Sequence, residues 1–554
     1  MHLAPVRRVT FSRISSGNCG DWSTDQVTSS ETQPSPAGEP RPSWDPRRQA
    51  CVPALTAAEE DTPVTLIDAL RHADEIRAVS GTTPGESVAL IEYLLAICYA
   101  SGTGPRTADE WLAHVEDNHP LTAAADWLES RPDEHWNLFH PTDPLGQNAL
   151  LTPYIDRYGT GPAQLVIEHV GDYNQFFDHH HLEHPAPLPA GAAFRAMLTQ
   201  HAYGPGGRAR ISGQETLGPT LTNLGVGRLG TRIRVIALGE TLGDTLRLNL
   251  VPLTGTPGHF NRTWTVAPEP RRGFLSKPTG RRVEGPADLH TVLGRSILMR
   301  PAFTQDGEPA VDRVLLGAGE LLAPLAPHHM PDAVYEWAPD GGVQPLRPSP
   351  SRALWREAHA LYAAVADRDH GPDLYDRLAR LGGRRLNLWA VGLIAKQTTA
   401  LTWVSDTFPF VHGRERDLRY AAERGSLVAE HVASALSRAA YVAWTVTYPN
   451  PKPADKSGQL SRFDARPEHW AHTEEPFHLL LDDTAAAENE RAVDTALVEY
   501  AGVLAGAAGR FLRKRLDSLP ANSRGYQARA QAVRRFETDL SGAAAPDELK
   551  GEGT

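Results

Sequence analysis

Alanine-rich segments with a helical apolar period occupy the last quarter of this 554-residue chain. Similar stripes run through residues 427–445 and 525–540, and the pattern is clearest over residues 492–512. Its apolar members there are Val493, Ala496, Leu497, Tyr500, Val503, Leu504 and Phe511. Because each stripe must bury one face against another helix, the sequence predicts an antiparallel, four-helix-type bundle over residues 408–545. Residues 546–554 are left as a tail.

The middle of the chain follows a different period. Residues 231–238 and 244–253 alternate larger apolar side chains with polar or smaller ones, which predicts strands with one buried face. Short strand-like pieces continue through residues 291–350. Helical spacing predicts four helices upstream, over residues 64–80, 85–100, 107–131 and 194–203.

These patterns together predict an α+β fold. A large mixed α/β domain over residues 49–407 precedes the helical bundle. Residues 14–48 are mostly Ser, Thr, Gln, Pro and Gly, so residues 1–48 are predicted to form a disordered lead.

Charge and cysteine content exclude several classes of protein. The formal net charge of −12 argues against a protein that coats nucleic acid indiscriminately, although a local basic patch stays compatible with it. The only cysteines, Cys19, Cys51 and Cys98, are too few and too far apart for a four-cysteine zinc site, and they suit a reducing cytoplasm. No apolar run reaches about 18 residues, so no membrane span is expected.

The segment HAYGPGGRARISG, residues 201–213, is unusually rich in glycine beside two arginines. Glycine lets another molecule approach the main chain closely, and a phosphate is one candidate. The segment lacks the Gly-Lys-Ser/Thr of a nucleotide P-loop. An ordinary turn with solvated arginines therefore remains open beside a ligand-binding loop.

The densest group of potential metal ligands is FFDHHHLEH, residues 176–184. Imidazole and carboxylate groups bind metals, so a metal-dependent nuclease using residues 178–184 is the enzymatic hypothesis. Adjacent residues rarely face one ion, however, and the proline-rich continuation prevents a long helix. No GxSxG, Walker or Rossmann pattern occurs. The sequence thus predicts no catalytic residues, no resident metal and no cofactor.

A basic cluster stands near the end of a predicted bundle helix, at Arg513, Lys514 and Arg515. Positive charges at a helix C-terminus interact favourably with the helix dipole. The same side chains could contact phosphates of a DNA backbone. Both interpretations remain open.

Five segments in order resemble the CasA family, the large subunits of the type I-E CRISPR surveillance complex Cascade. They are WNLFHPTDPLGQ (136–147), VGDYNQFFDHH (170–180), YGPGGR (203–208), TLRLNLVPL (245–253) and AKQTTALTWVSDTFPF (395–410). With the helical bundle, the resemblance covers about residues 60–540. Two features depart from the family pattern. Residues 42–54 keep little of its first strand, and no lysine stands near Gly319–Glu320, where the family's minor-groove lysine is expected.

The resemblance implies a non-catalytic, cytoplasmic subunit of an antiviral complex. Such a subunit recognises a protospacer-adjacent motif in double-stranded target DNA, promotes the strand opening that forms an R-loop, and recruits a separate helicase-nuclease. The implied partners are that DNA, the 5′ handle of the CRISPR RNA, the other Cascade subunits and the helicase-nuclease, with no membrane.

The resemblance also assigns roles to particular residues. The glycine loop, residues 204–208, would lie against the minor groove at the motif. A hairpin tip, residues 396–398, would act as a strand-separating wedge, and a handle loop, residues 176–179, would contact guide RNA. The candidates are Gly204, Gly206, Gly207 and Arg208 in the glycine loop; Lys396, Gln397 and Thr398 at the hairpin tip; Phe176, Phe177, Asp178 and His179 in the handle loop; and Arg210, Arg513, Lys514 and Arg515 for the DNA backbone.

Overall fold

The structure, a computed structural model, describes most of the chain from residue 41 onward. The described residues are 41–169, 186–208, 223–253, 255–264, 280–323, 334–337, 343–349, 358, 362, 377–396, 399–449 and 455–550. No helix among them combines the length and apolar character needed to cross a membrane. Trp44 and Arg47 are buried, so packed structure begins within the region predicted as a lead.

The first sheet has β1 (Val52–Thr56) at its centre, between β2 (Asp61–Val64) and β3 (Ile76–Val79), with antiparallel pairings. Although residues 42–54 keep little of the family's first strand in sequence, β1 occupies that region. The helix predicted over residues 64–80 is wrong in its second half. Helix α1 (Leu66–Arg71) ends early because the chain must return to pair β3 with β1.

Helices follow this sheet: α2 (Pro84–Ala100), α3 (Ala108–Glu116), α4 (Thr122–Glu129), α5 (Thr152–Tyr158) and α6 (Ala190–Tyr203). The helices predicted at residues 85–100 and 194–203 are confirmed. The single helix predicted over residues 107–131 is two helices, since Asn118 has a φ of 51° and Pro120 follows it. Helix α2 is buried along most of its length, so its apolar run marks a central helix.

The remaining strands of this region form small antiparallel sheets interrupted by two helices. In chain order the elements are β4 (Leu188–Pro189), β5 (Gly207–Arg208), β6 (Asn223–Leu224), β7 (Arg234–Leu238), α7 (Leu242–Asn249), α8 (Pro286–His290), β8 (Arg295–Phe303), β9 (Pro309–Ala318), β10 (Tyr335–Trp337), β11 (Val343–Pro345), β12 (Arg385–Lys396) and β13 (Thr399–Val411). The sheets are β4–β9–β8, β13–β12–β7, β5–β6 and β10–β11. The strand predicted at residues 231–238 is confirmed as β7, but its prediction of one buried face is wrong, because four of its five residues are buried.

The strand predicted at residues 244–253 is wrong, because α7 occupies most of that segment. Thr241 caps the helix by accepting a hydrogen bond from the Asp244 amide at 3.1 Å. Every residue of α7 is buried, so its alternating leucines do not mark a single buried face. Asn249 donates to the Thr245 and Ala237 carbonyls at 2.7 Å each, which ties the helix to β7.

The C-terminal region is helical, as predicted. Its elements are α9 (Glu415–Thr447), α10 (Lys456–Ser461), α11 (Arg466–Ala486), α12 (Glu490–Leu516), α13 (Ser523–Ser541) and α14 (Asp547–Lys550). Helix α9 packs along α11, α12 and α13. Most of the predicted α12 stripe is buried, but Val503 is 49% exposed.

The bundle and the β12–β13 hairpin share one apolar core, to which Leu388 and Phe408 contribute from the hairpin. The fold class is therefore confirmed as mixed helix and sheet with a C-terminal helical region. The boundary predicted between residues 407 and 408 falls inside β13, and the division into domains stays a prediction.

Candidate nucleic-acid interface

Helix α6 ends directly at the glycine loop. Tyr203, its last residue, is fully buried, and the Gly204 amide donates to the Gln200 carbonyl at 3.0 Å. Gly206 is half-buried and Gly207 is exposed. The chain then enters β5, which pairs with β6. The main chain of the loop is therefore exposed at Gly207, between the end of α6 and the paired strands β5 and β6.

Side chains at two of the loop glycines would collide with neighbouring side chains. A Cβ atom at Gly204 would lie 2.6 Å from the guanidinium carbon of Arg295. One at Gly206 would lie 2.8 Å from Cγ2 of Val226. Both distances are too short for real Cβ contacts. The absence of a side chain at Gly204 therefore has an internal cause, the buried Arg295, whereas at Gly206 the exposed side chain of Val226 would have to shift.

Arg295, at the start of β8, supports the glycine loop from below. Its guanidinium donates to the carbonyls of Pro205 and Gly225 at 2.6 Å each and to the carbonyl of Gly294 at 2.8 Å. The residue is 1% exposed, and burial lowers its pKa to about 10, which leaves it charged at neutral pH. Among the described residues, no carboxylate forms an ion pair with it. A buried positive charge thus lies directly beneath the loop.

Sequence reasoning missed Arg295. Two of its partner carbonyls lie 70 and 90 positions away in the chain, and no local motif marks such contacts.

A second cluster of buried charged groups, centred on Glu92, binds the segment around residue 228. Glu92 on α2 forms ion pairs with Arg228, with Arg234 at 2.8 Å and with His290 at 2.5 Å. Burial alone would raise the pKa of Glu92, but Arg228, His290 and Arg234 together hold it well below its usual range. Glu92 therefore stays ionised and anchors residue 228, which lies close in sequence to Gly225 and Val226.

The region of the missing lysine borders the glycine loop. A Cβ at Gly319 would lie 2.2 Å from the Gly294 carbonyl carbon, so this turn packs against the start of β8. Glu320 has a side chain only 3% exposed and pairs with Arg281 at 2.8 Å. It cannot replace a cation that enters a groove. Two aliphatic side chains stand exposed nearby: Val226 at 48% and Leu321 at 45%.

The predicted hairpin tip falls between two paired strands. Lys396 is exposed at the end of β12 and pairs in register with Thr399 at the start of β13. Gln397 and Thr398 themselves lie outside the described residues. The hairpin reaches the glycine loop through Trp403, whose ring centroid lies 4.8 Å from that of Tyr203 at 86°. The structure thus brings the hairpin and the glycine loop together.

The other predicted contacts divide into described and undescribed ones. Arg513, Lys514 and Arg515 lie in the last turn of α12. Arg515 pairs with Glu468 at 2.5 Å, whereas Arg513 and Lys514 are exposed. Other candidates lie outside the described residues: Arg210, the whole handle loop (Phe176–His179) and the segment 178–184 of the nuclease hypothesis. For Arg208 only the main chain is described.

Potential metal ligands meet elsewhere in the described part of the chain. Asp406, Glu474 and His478 each place one potential ligand atom within 4.8 Å of the other two, where β13 faces α11. His478 and Asp406 form an ion pair of 2.9 Å, which raises the pKa of His478.

Cys51 and Cys98 are buried, and burial raises the pKa of Cys98 to about 12, so this thiol is unreactive.

Comparison with known proteins agrees with the resemblance drawn from the sequence. The family model for CRISPR-associated protein Cse1 matches residues 50–511. CasA/Cse1 of Thermus thermophilus is 25% identical over 390 residues, which cover 67% of this chain and 74% of that protein. The solved Thermus thermophilus CasA superposes with a TM-score of 0.70 at 22% identity, covering 90% of this chain and 99% of that one.

A chain of a solved CRISPR RNA-guided surveillance complex superposes with a TM-score of 0.66 at 20% identity, covering 90% of this chain and all of that one (100%). At these identities the solved structures show the shared fold. The family match spans most of the sequence, and the chain therefore belongs to the CRISPR-associated protein Cse1 family.

Proposed function

We propose that this chain is the DNA-recognition subunit of an RNA-guided surveillance complex and carries no catalytic site of its own. One observation carries the proposal. A glycine loop with an exposed end is fixed over a buried guanidinium, Arg295, and is joined to a long hairpin through Tyr203 and Trp403. Family membership and the likeness to a chain of a surveillance complex support the same assignment.

In this proposal the glycine loop approaches the minor groove of the protospacer-adjacent motif. A main chain without bulky side chains can come close to base edges. Readout there distinguishes mainly A·T from G·C pairs, so several related motifs would be accepted. Arg208 and Arg210 would contact flanking phosphates, which position the protein without specifying sequence. The field of Arg295 favours the approach of the polyanion to this part of an otherwise acidic chain.

The hairpin tip would separate the strands next to the motif. Unstacking one step costs on the order of a few kcal/mol, and an inserted side chain can offset part of that. The planar amide of Gln397 can face a base while it hydrogen-bonds exposed edges. The handle loop would bind the 5′ handle of the guide RNA by stacking and hydrogen bonding. The displaced strand would then be presented to a separate helicase-nuclease.

The glycine-loop role is tested with Gly206→Asp in the assembled complex. A carboxylate there adds bulk and repels phosphate, so affinity for motif-bearing duplex should fall. Because the new side chain would also collide with Val226, the variant is repeated together with Val226→Ala, which removes the colliding atom. Gly502→Asp is the matched control, since Gly502 is exposed with open space around its Cβ position.

The expected result is weaker motif-dependent binding for both Gly206 variants and normal binding for the control. Wild-type affinity in a folded Gly206→Asp/Val226→Ala variant would overturn the assignment. Metal analysis and a plasmid cleavage assay on the same preparation test the nuclease hypothesis.

The wedge is tested with Gln397→Ala combined with Thr398→Gly. This variant should keep initial motif binding but open a matched duplex slowly, as followed by 2-aminopurine fluorescence. A target already mismatched beside the motif should restore opening, because its unpairing cost is largely absent. Equal opening rates for variant and wild type on the matched duplex would remove Gln397 from the mechanism.

A further inference from the structure

We infer that Trp403 is a positioning residue that ties the hairpin to the residues that precede the glycine loop and the segment of the predicted handle loop. The inference rests on the proposed function and deepens it. Trp403 lies on β13 of the hairpin, packs on the residue that precedes the glycine loop, and hydrogen-bonds a residue just before the segment that contains the handle loop.

The contact toward the handle loop is a charge-assisted hydrogen bond. Trp403 Nε1 donates to Glu168 Oε1 at 2.6 Å. Glu168 belongs to a single turn of 3-10 helix, Ile167–His169, and residues 170–185 follow directly. Indole offers one donor and no acceptor, so this bond needs both the nitrogen of Trp403 and an oxygen at position 168.

The contact toward the glycine loop is an edge-to-face ring pair. Tyr203 is fully buried as the last residue of α6, and the Trp403 ring meets it at 86°. Gly204 is the next residue in the chain. Any shift of the Trp403 ring therefore acts on the residue from which the glycine loop starts.

A third contact prevents the indole from turning away. Gly85 lies in the first turn of α2, and a Cβ atom there would be 1.9 Å from Cη2 of Trp403. The indole thus fills the space that a side chain at position 85 would take. Tyr203, Glu168 and Gly85 approach the same ring from three separate elements.

The strands of the hairpin connect Trp403 to the predicted hairpin tip. Trp403 pairs in register with Leu393, and Thr399 pairs with Lys396 at the tip. Thr399 lies four positions before Trp403 along β13, which is about 13 Å at the usual rise per residue. The pairing of β12 with β13 continues over that distance, with a β-bulge between Ile394 and Ala395 that bends the ladder locally. Lys396, the last described residue before Gln397, is therefore linked to Trp403 through the pairing of β12 with β13.

The first test removes the hydrogen bond between Trp403 and Glu168 from each side in turn. Trp403→Phe keeps an aromatic ring but cannot donate to Glu168, and Glu168→Ala removes the acceptor. Each should weaken binding of the guide RNA 5′ handle by about tenfold, the size expected for one hydrogen bond to a charged group. Since both delete the same bond, the double variant should be no worse than the more damaging single one. Additive losses in the double variant would overturn the role assigned to the bond between Trp403 and Glu168.

The second test uses Trp403→Leu, which removes the ring from Tyr203. Initial binding of motif-bearing duplex should stay within about twofold of wild type, whereas opening of a matched duplex should slow by about tenfold, the loss expected for an aromatic pair and the packing around it. A target mismatched beside the motif should restore the rate. General loss of structure would lower both binding and opening and would not be rescued. If this variant does not fold, the Trp403→Phe and Glu168→Ala cycle decides the inference alone.

The matched control is Trp389→Phe. Trp389 lies on β12 of the same hairpin, and its Nε1 donates to Ser405 Oγ at 2.8 Å. The substitution removes an indole hydrogen bond of similar length, away from Tyr203 and Glu168. It should change neither RNA binding nor strand opening, and a control that equals Trp403→Phe would overturn the inference. If wild-type complex shows no motif-dependent binding, the proposed function itself fails.

Discussion

Replacing Arg295 with methionine should detach the glycine loop from the body of the protein while leaving the fold in place. Methionine keeps an unbranched chain of similar bulk but donates no hydrogen bond. Three carbonyls lose their donor, and the carbonyl of exposed Gly225 can turn toward water. The carbonyls of Pro205 and Gly294 cannot, and each unsatisfied buried acceptor costs about 1–3 kcal/mol.

The loss for the whole fold is smaller than that sum. Burial lowers the pKa of Arg295 to about 10, which shows that the folded chain bears a cost for keeping this charge inside. Methionine removes that cost. The free energy of unfolding should therefore fall by no more than about 1–3 kcal/mol, the range of one buried unsatisfied group.

The local effect on the loop should be larger than the effect on the fold. Ordering one backbone residue costs about 1–2 kcal/mol. If DNA must order one or two loop residues that Arg295 now holds, affinity for motif-bearing duplex falls by roughly 10- to 100-fold. Binding to duplex without the motif should change little, because phosphate contacts elsewhere supply it.

Fluorescence anisotropy on both duplexes, with thermal denaturation of the same samples, measures this directly. Arg300→Met is the matched control, because Arg300 lies on the same strand and pairs with Asp312 and Asp156 at the surface. Arg295→Lys should fall between wild type and Arg295→Met, since an ammonium group keeps the charge but cannot span three carbonyls. Wild-type motif affinity in a folded Arg295→Met variant would refute the reasoning.

Three further predictions follow from the charges of the structure. Glu92→Gln removes the carboxylate shared by two buried arginines and should lower the free energy of unfolding by about 3–5 kcal/mol. Its control is Glu129→Gln, which removes an exposed ion pair with Arg71 and should lower that free energy by about 1 kcal/mol or less. Denaturant unfolding of both variants measures the difference. Because Asp406 raises the pKa of His478, wild type should be more stable than His478→Gln below about pH 6.5 and should lose this advantage as pH rises through the raised pKa; melting curves at several pH values would contradict this by showing a constant difference. Arg208→Glu should weaken binding to all motif sequences and reduce the log–log salt slope by about one unit if it holds one phosphate, and an unchanged slope would show that Arg208 does not touch DNA.

The sequence predicted the parts of the fold in which one local signal dominates. Helix α2 is a long apolar run that is buried along most of its length, the bundle helices have long apolar stripes, and β7 is a short, mostly apolar run that is buried. The errors fall where tertiary contacts override the local pattern. The leucines of α7 alternate, but the whole segment is buried and Thr241 caps a helix there. Residues 76–79 carry a helical spacing, yet pairing with β1 makes them a strand.

The candidate site was predictable only where short segments carry it. The glycine loop and the hairpin tip could be located because each is a few consecutive residues with an unusual composition. Arg295, Glu92 and Trp403 act through partners far away in the sequence, at separations of 90, 136 and 235 residues in the clearest cases. No period or motif in one sequence encodes such pairs.

The glycines themselves show why sequence and structure must be combined at this site. From the sequence, a run of glycines beside arginines suggests that something outside approaches the main chain. In the structure, the space at Gly204 is already taken by Arg295, and the space at Gly206 borders Val226. Gly204 is therefore explained by packing alone and says nothing about DNA. Gly207 is different, because it is exposed where the loop enters β5. The proposed DNA contact consequently depends on the outer half of the loop, and the inner half, held by Arg295, determines where that outer half stands.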